Sequence, residues 1–535
     1  MWVSRSPKQK SWLKLFVRRQ REAKSKMVAK IPLSMIKVPP SVVGEFALAL
    51  LCIAGALVPF LAPRIPVAND VPRHVLVAEV MAHYNDAPYA FNRHFALDYK
   101  PRSTLLPQIV LAGFARLIPP FDAVKLFYLL SAIAFWLGVR FMAIRMGKPP
   151  IAALVLLPLL QFLPAYGGNL HFHAGLALYP LLLGILLGSG RGARRVVVLS
   201  VLLVVMYGFH IVVVAVATFT IIMFIVFRAG KGAKWTPGGL VDSLKQGWPD
   251  LIALLPSGLL LVYAMSHLDP AVAHVSYDVP ALMHLKNYFA GNVYTLTKTA
   301  GYLNLGYLAL FGAAAVAGCW RVSADRRLTV TAASLLVIGI LMPIHLGAWY
   351  GAGQRTLPFA MIAALGAISL SRGAWRMAAW FSCALLLTNA AINTRAALNV
   401  QKIYAIYLSG LPVISYGSRI LPVFEDLKLG GNEMALPMAG IDDAYNIYRG
   451  GSSPYCSAFP AVHTNATPLR LKFTDSPYTY KFEKRQKRDY RGVSRYYDYV
   501  ILFGNVPDAQ RAADDEMTLA FINGPLRIYR SRLRH

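Results

Sequence analysis

"RVVVLSVLLVVMYGFHIVVVAVATFTIIMFIVFR" (residues 195–228) carries charge only at its two ends. It is long enough to be one tilted helix or two short ones. The choice sets the side of the membrane on which every later loop lies. "MYGFHI" in its middle puts Gly208 and His210 where a tight turn fits, and a split there brings the flanking charges into register.

Apolar runs then fall near 43–62, 121–143, 149–166, 172–189, 195–209, 211–228, 249–267, 303–320, 328–345, 355–371 and 375–392, which gives about eleven spans. With the N-terminus inside, the inner turns carry Arg140, Arg145 and Lys148, then Arg191, Arg194 and Arg195, then Arg228, Lys231, Lys234 and Lys245. Arg321, Arg326 and Arg327 follow, and finally Arg372 and Arg376. Every inner turn is basic, as the positive-inside rule requires. All twelve histidines (74, 83, 94, 171, 173, 210, 267, 274, 284, 345, 463 and 535) then fall on the outer side or at the outer ends of spans, although of these only His210 entered the choice of topology.

Composition points the same way. Of 535 residues 56% are hydrophobic and only 15% charged, too apolar for a soluble chain of this length. The net charge of +30 is interleaved with bilayer-length runs, so it is assigned to topology and to anionic headgroups; nucleic acid is excluded as a partner because no reading motif accompanies it. Cys52, Cys319, Cys383 and Cys456 are scattered and form neither a disulfide framework nor a metal knuckle.

Three regions follow. Residues 1–42 hold eleven Lys or Arg against Glu22 alone and lack signal-peptide architecture, so they are expected to stay cytoplasmic, as a helix on the membrane surface or a basic tail. Residues 43–392 form the membrane domain. Its first outer loop, 63–120, contains "TLLPQIVLAGFARLIPP" (104–120), a short run broken by Pro107, Pro119 and Pro120 that is expected to be re-entrant or interfacial. Residues 393–535 are expected outside as a small α/β domain, with "YYDYVILFGN" a buried strand ending at a Gly-Asn turn and "PLRIYRSRL" a final strand.

The first outer loop opens with "PVANDVPRHVLVAEV" (66–80). The pattern predicts a helix with Pro72 in its first turn, Asp70 at its N-cap and His74 one turn along the same face. A carboxylate there can accept a proton from an attacking hydroxyl, or it can simply cap the helix. Glu79 follows, at i+5 from His74, on a diverging face. Asp70 and His74 are two candidate ligands for a divalent metal and lack a third.

Taken together, the basic N-terminus, the single span and the loop "NDVPRHVLVAEVM" resemble the GT-C superfamily of integral membrane glycosyltransferases, in particular poorly characterised bacterial members. Three patches add to this: "GGNLHFHAGLALYPLLLGILL" (167–187), "YGFH" (207–210) and "GQRTLPFAMIAALGA" (353–367). The resemblance implies a bacterial inner-membrane enzyme. It would move a sugar from a polyprenyl-phosphate donor to a glycan, lipid or protein acceptor on the outer side, with inversion and with Asp70 as general base. The superfamily often shows two adjacent acids there, where this chain has Asn69–Asp70. Phosphate at the interface needs cationic partners; Arg355 is the leading candidate, then Lys286 and His345. Asn169, His171, His173 and His210 are assigned to the cavity lining. A transporter or lipid flippase is the alternative class, disfavoured because acids at midplane depth are nearly absent; a non-catalytic assembly subunit is a third.

Overall fold

The chain does break at His210. In the computed structural model, which describes residues 40–162, 166–188, 190, 192–227, 237–267, 275–276, 280–293, 295–319, 325–343, 345–346, 349–425, 438, 440–454, 469–472 and 490–533, one helix ends at Phe209 and the next begins at Ile211. His210 is extended (φ −165°, ψ 133°), and its Nδ1 accepts the Val212 N–H at 3.1 Å, so the imidazole itself caps the second helix.

In chain order the helices of eight or more residues up to residue 408 are α1 (Pro40–Leu61), α2 (Val71–Ala82), α3 (Leu105–Ala115), α4 (Pro120–Arg145), α5 (Leu170–Leu187), α6 (Ala193–Phe209), α7 (Ile211–Val226), α8 (Pro237–Ile252), α9 (Leu255–Ser266), α10 (Ala281–Asn292), α11 (Lys298–Cys319), α12 (Arg326–Leu341), α13 (Leu357–Ala364) and α14 (Arg372–Leu408). Among the described residues, α1, α4, α5, α11 and α14 are long and apolar enough to cross a membrane. The α8–α9 pair, bent by 70°, makes a sixth candidate. Helix length alone therefore gives fewer crossings than the eleven apolar runs, because several runs form shorter elements. The 149–166 run is a 3₁₀ helix, Pro150–Gln161, interrupted by Pro158. Side chains bond to carbonyls of this segment: Tyr307 Oη donates to Val155 O at 2.6 Å and Asn304 Nδ2 to Gln161 O at 3.3 Å. The α-helix in the 355–371 run is only the eight-residue α13, buried almost throughout. The stretch 104–120 contains the eleven-residue α3, about 16 Å long and too short to cross.

Packing follows composition. α5 lies along α4, α14 along the 3₁₀ segment, α12 along α13, and α2 along α3. Large apolar side chains on other faces stay exposed, among them Leu259, Val262, Tyr302, Val316 and Met377, as lipid-facing surfaces do. Where α6, α8 and the end of α5 meet, Arg195 makes a two-pronged bond to Asp250 (2.9 and 3.0 Å) and donates to the carbonyls of Ile185 and Gly188.

Residue 393 lies within α14, which runs unbroken for 37 residues to Leu408. Beyond it lies a four-stranded mixed sheet. Strand β2 (Ile420–Phe424) pairs in parallel with β4 (Tyr499–Phe503), β4 pairs antiparallel with β6 (Leu526–Ser531), and β6 antiparallel with β5 (Met517–Asn523). As expected, Tyr499–Phe503 is a fully buried strand, and it ends at Gly504 in the left-handed region (φ +91°). Leu421, Val423, Tyr497, Val500, Leu502 and Tyr529 form the core of this region.

The first loop is stitched to this region. Strand β1 (Phe95–Leu97) pairs antiparallel with β3 (Leu469–Leu471). His94 Nε2 lies 3.0 Å from Gly417 O and its Nδ1 2.9 Å from Ser452 Oγ, an arrangement in which the ring donates to the carbonyl and accepts from the hydroxyl. Surfaces in direct contact share one side of any membrane, so the loop and the C-terminal region lie together. The basic arm falls outside the described residues up to residue 39, as do residues 481–489, His274, His463, His535 and the His345 side chain.

Candidate active site

Asp70 is at the N-cap position of α2 (φ −98°, ψ −3°), but its side chain makes no capping hydrogen bond. Pro72 lowers the need for one, since it has no N–H to satisfy. The carboxylate is turned to other groups: the Arg73 and Arg355 guanidinium charges act on it. Asp70 keeps part of its accessible surface, yet it sits deep enough that lost hydration raises its pKa above the ordinary carboxylate value, and the two arginines oppose that rise.

Two glycine turns fix its backbone. Gly168 is left-handed (φ +73°), and a Cβ there would lie 2.5 Å from the Asp70 nitrogen and 2.8 Å from that of Val71. From the C-terminal region, Gly440 (φ +81°) packs so closely that a Cβ would lie 2.6 Å from Asn69 O. Arg73 faces Asp443 at 4.0 Å in the same approach. The "GGN" before α5 thus has a steric task, since only glycine permits both the angle and the distance.

Arg355 is carried by the 3₁₀ turn Gly353–Thr356. That turn is braced by Asn292 Nδ2 donating to Gln354 O (2.8 Å), by Tyr288 Oη against Thr356 Oγ1 (3.2 Å), and by face-to-face packing of Gly339 on Gly353. The guanidinium lies 5.8 Å over the Phe172 ring, and its Nη1 is 2.9 Å from His210 Nε2. A singly protonated imidazole has one lone pair, so His210 can accept from Val212 or from Arg355 but not from both.

A second group adjoins it. The Gln108 amide nitrogen is 3.2 Å from His74 Nδ1 and 2.9 Å from His171 Nε2, and the two rings meet edge-on at 4.1 Å. One amide can donate to both rings if each is singly protonated on its other nitrogen. His173 points elsewhere, edge-on to Tyr128 at 5.5 Å, and Asn169 holds the N-cap position of α5, where its carbonyl accepts from His173 N. Tyr128 in turn lies within electrostatic reach of Asp70.

Glu79, Lys286 and His345 have other surroundings. Glu79 is nine residues along α2, about 13 Å by helical rise. It is buried against His83 (3.7 Å), where lost hydration raises its pKa to about 8. Lys286 is on an exposed face of α10. His345 contributes a described backbone only, in a two-residue strand paired with Ser276 and Tyr350. Among the described residues no three His, Cys, Asp or Glu side chains gather in a group able to hold a metal ion. Beside Asp70 stand the amide Asn69 and His74, whose Nδ1 is engaged by Gln108.

Gln108 was missed from sequence. Its signal was there, a lone amide in the apolar helix "LLPQIVLAGFA". Gly440 and Asp443 gave no such sign, because nothing local in "AGIDDAYN" shows which turn it meets.

No protein-family model matches the chain, nor does any curated protein sequence. Among solved structures, the crystal structure of ArnT from Cupriavidus metallidurans in the apo state superposes with a TM-score of 0.53 over 91% of this chain and 97% of that one, at 12% identity. The fold is GT-C. A cryo-EM structure of the arabinofuranosyltransferase AftD from Mycobacteria aligns over 91% of this chain and 41% of its own, with a TM-score of 0.47 and 12% identity. With 91% of the chain covered, the likeness to ArnT takes in both the membrane helices and the C-terminal region.

Proposed function

We propose that this protein is a membrane glycosyltransferase that moves a sugar from a polyprenyl-phosphate donor to an acceptor hydroxyl on the extracytoplasmic face, with inversion. The observation that carries the reading is a carboxylate at a helix N-cap that does not cap, facing an arginine braced by its own turn. The GT-C fold supports the class of reaction. The reading takes the eleven apolar runs as spans or broken spans, puts the basic arm in the cytoplasm, and puts the first loop and C-terminal region outside.

Each group has a definable task. The acceptor oxygen attacks the anomeric carbon as its proton passes to an Asp70 oxygen. A new C–O bond forms on one face while the bond to the phosphate oxygen breaks on the other, which inverts the centre. The electron pair leaves on the polyprenyl phosphate. Arg355 is placed to meet that charge, and its departure from His210 resolves the competition there, since His210 keeps its Val212 bond and offers Nε2–H to the same phosphate. Burial raises the basicity of Asp70, and the charges of Arg73 and Arg355 oppose that rise. Gln108 holds His74 and His171 in fixed orientation behind it. No step is routed through a metal.

The test is transfer of labelled sugar from a panel of polyprenyl-phosphate sugars by the reconstituted full chain and by its Asp70→Asn variant. Loss of transfer of about 10²–10⁴-fold with the fold intact supports the reading. Wild-type transfer by the variant refutes Asp70 as base.

A further inference from the structure

A groove of about 690 Å³ runs between the Gly55–Val58 part of α1 and α14. Its walls at one end are apolar, formed by Val58, Leu387 and Ala391; at the other end Arg395 and Lys402 flank Leu398 and Asn399, with Thr394 next to Arg395. No acid lines it. The close approach of the two helices at its floor depends on Gly55, against which Leu387 packs directly.

The position of the cations along α14 decides what the groove meets. Residues 377–394 carry no charge. The 19 residues from Arg376 to Arg395 rise about 28 Å, the thickness of a bilayer hydrocarbon core of roughly 30 Å. Arg376 and Arg395 therefore mark opposite interfaces, and the cationic end of the groove lies at the same interface as the first loop. Arg395 and Lys402 are two turns apart, about 10 Å, wider than one bare phosphate but matched to a phosphodiester headgroup whose polar neighbours reach Thr394 and Asn399.

We infer that this groove is a binding site for an anionic glycerophospholipid of the leaflet that faces the first loop, with its phosphate between Arg395 and Lys402 and an acyl chain along Val58, Leu387 and Ala391. The site shares no lining residue with the Asp70–Arg355 cluster. Next to Lys402, Gln401 makes reciprocal bonds with the Ile65 backbone (2.8 and 3.1 Å), so the occupied face adjoins the clamp on the segment leading to Asp70.

Native mass spectrometry of the delipidated full chain tests it, with phosphatidylglycerol and phosphatidylcholine of identical chains as probes. The expected result is a first phosphatidylglycerol held at least tenfold more tightly than phosphatidylcholine. Arg395→Ala with Lys402→Ala should abolish that preference, a loss of roughly thirtyfold from two basic groups near the surface. Arg511→Ala, on an exposed helix of the C-terminal region, should not. Val58→Trp, which fills the apolar end and keeps both cations, should weaken both lipids. Equal binding of the two lipids by the wild type, or a preference that survives the double substitution, overturns the inference. So does a polyprenyl monophosphate that displaces phosphatidylglycerol from the wild type and fails to bind the double variant, which would make the occupant the carrier. The readout is binding, so it stands or falls separately from the chemistry at Asp70.

Discussion

Gly168→Ala should damage transfer far more than it damages folding. Two costs add at this position. An alanine at φ +73° is strained by about 1–2 kcal/mol. Its Cβ would also stand 2.5 Å from the Asp70 nitrogen, about 0.9 Å inside ordinary contact, and the atom it meets is backbone, which cannot swing aside. Relief therefore displaces Asp70 by nearly 1 Å, and a misplacement of that size costs about 10²-fold in rate. The expected outcome is a fall in initial transfer rate of about 10²-fold, with a stability loss of roughly 1–3 kcal/mol by thermal melting. Gly306→Ala, where a Cβ meets nothing within 4 Å on α11, is the control and should leave the rate unchanged. A Gly168→Ala variant that melts lower but transfers at the wild-type rate would show that the Asp70 backbone position does not govern the reaction.

Other outcomes follow from the same contacts. Arg355→Ala should lower kcat by about 10²–10³-fold in the transfer assay, while Lys286→Ala, at an exposed position, should leave kcat unchanged. Glu79 has its folded pKa raised to about 8, above its unfolded value, so the folded state binds the extra proton. Its contribution to stability is complete below pH ~4.5 and is lost as pH rises toward 8, by up to about 1.4 kcal/mol per unit. Melting at pH 5.5 and 7.5 should show that slope in the wild type and its reduction in Glu79→Gln. Asp250→Ala leaves Arg195 buried without its carboxylate and should cost about 3–5 kcal/mol in melting experiments, whereas Arg195→Met with Asp250→Leu should cost less.

Sequence patterning carried the membrane architecture because its signals are local. A split at "YGFH" needs only an apolar run on each side of a residue that can cap, and His210 does so. Asp70 was legible for the same reason, since an acid before a proline-bearing first turn marks an N-cap position. What the pattern could not show is that the side chain declines the cap, because that depends on Arg73 and on Arg355, 285 residues away. The boundary drawn at 393 followed a change in hydropathy in "NTRAALNVQKIYAIYL". Hydropathy carries no mark of where a helix ends, and α14 continues to Leu408. The 149–166 run was apolar enough for a span, but Pro158 in its middle removes an N–H that an α-helix needs. Gln108 was visible as a lone amide, but the two imidazoles that it joins come from different helices.

Chemical rescue tests the assignment of Asp70 as general base most directly. Asp70→Ala removes the carboxylate and leaves space beside Arg355, and added formate can supply the missing proton acceptor. The account predicts a transfer rate about 10²–10⁴-fold below wild type without formate, which recovers with formate concentration. That recovery should be strongest at higher pH. An Asp70→Ala protein that transfers sugar at the wild-type rate without formate would contradict it.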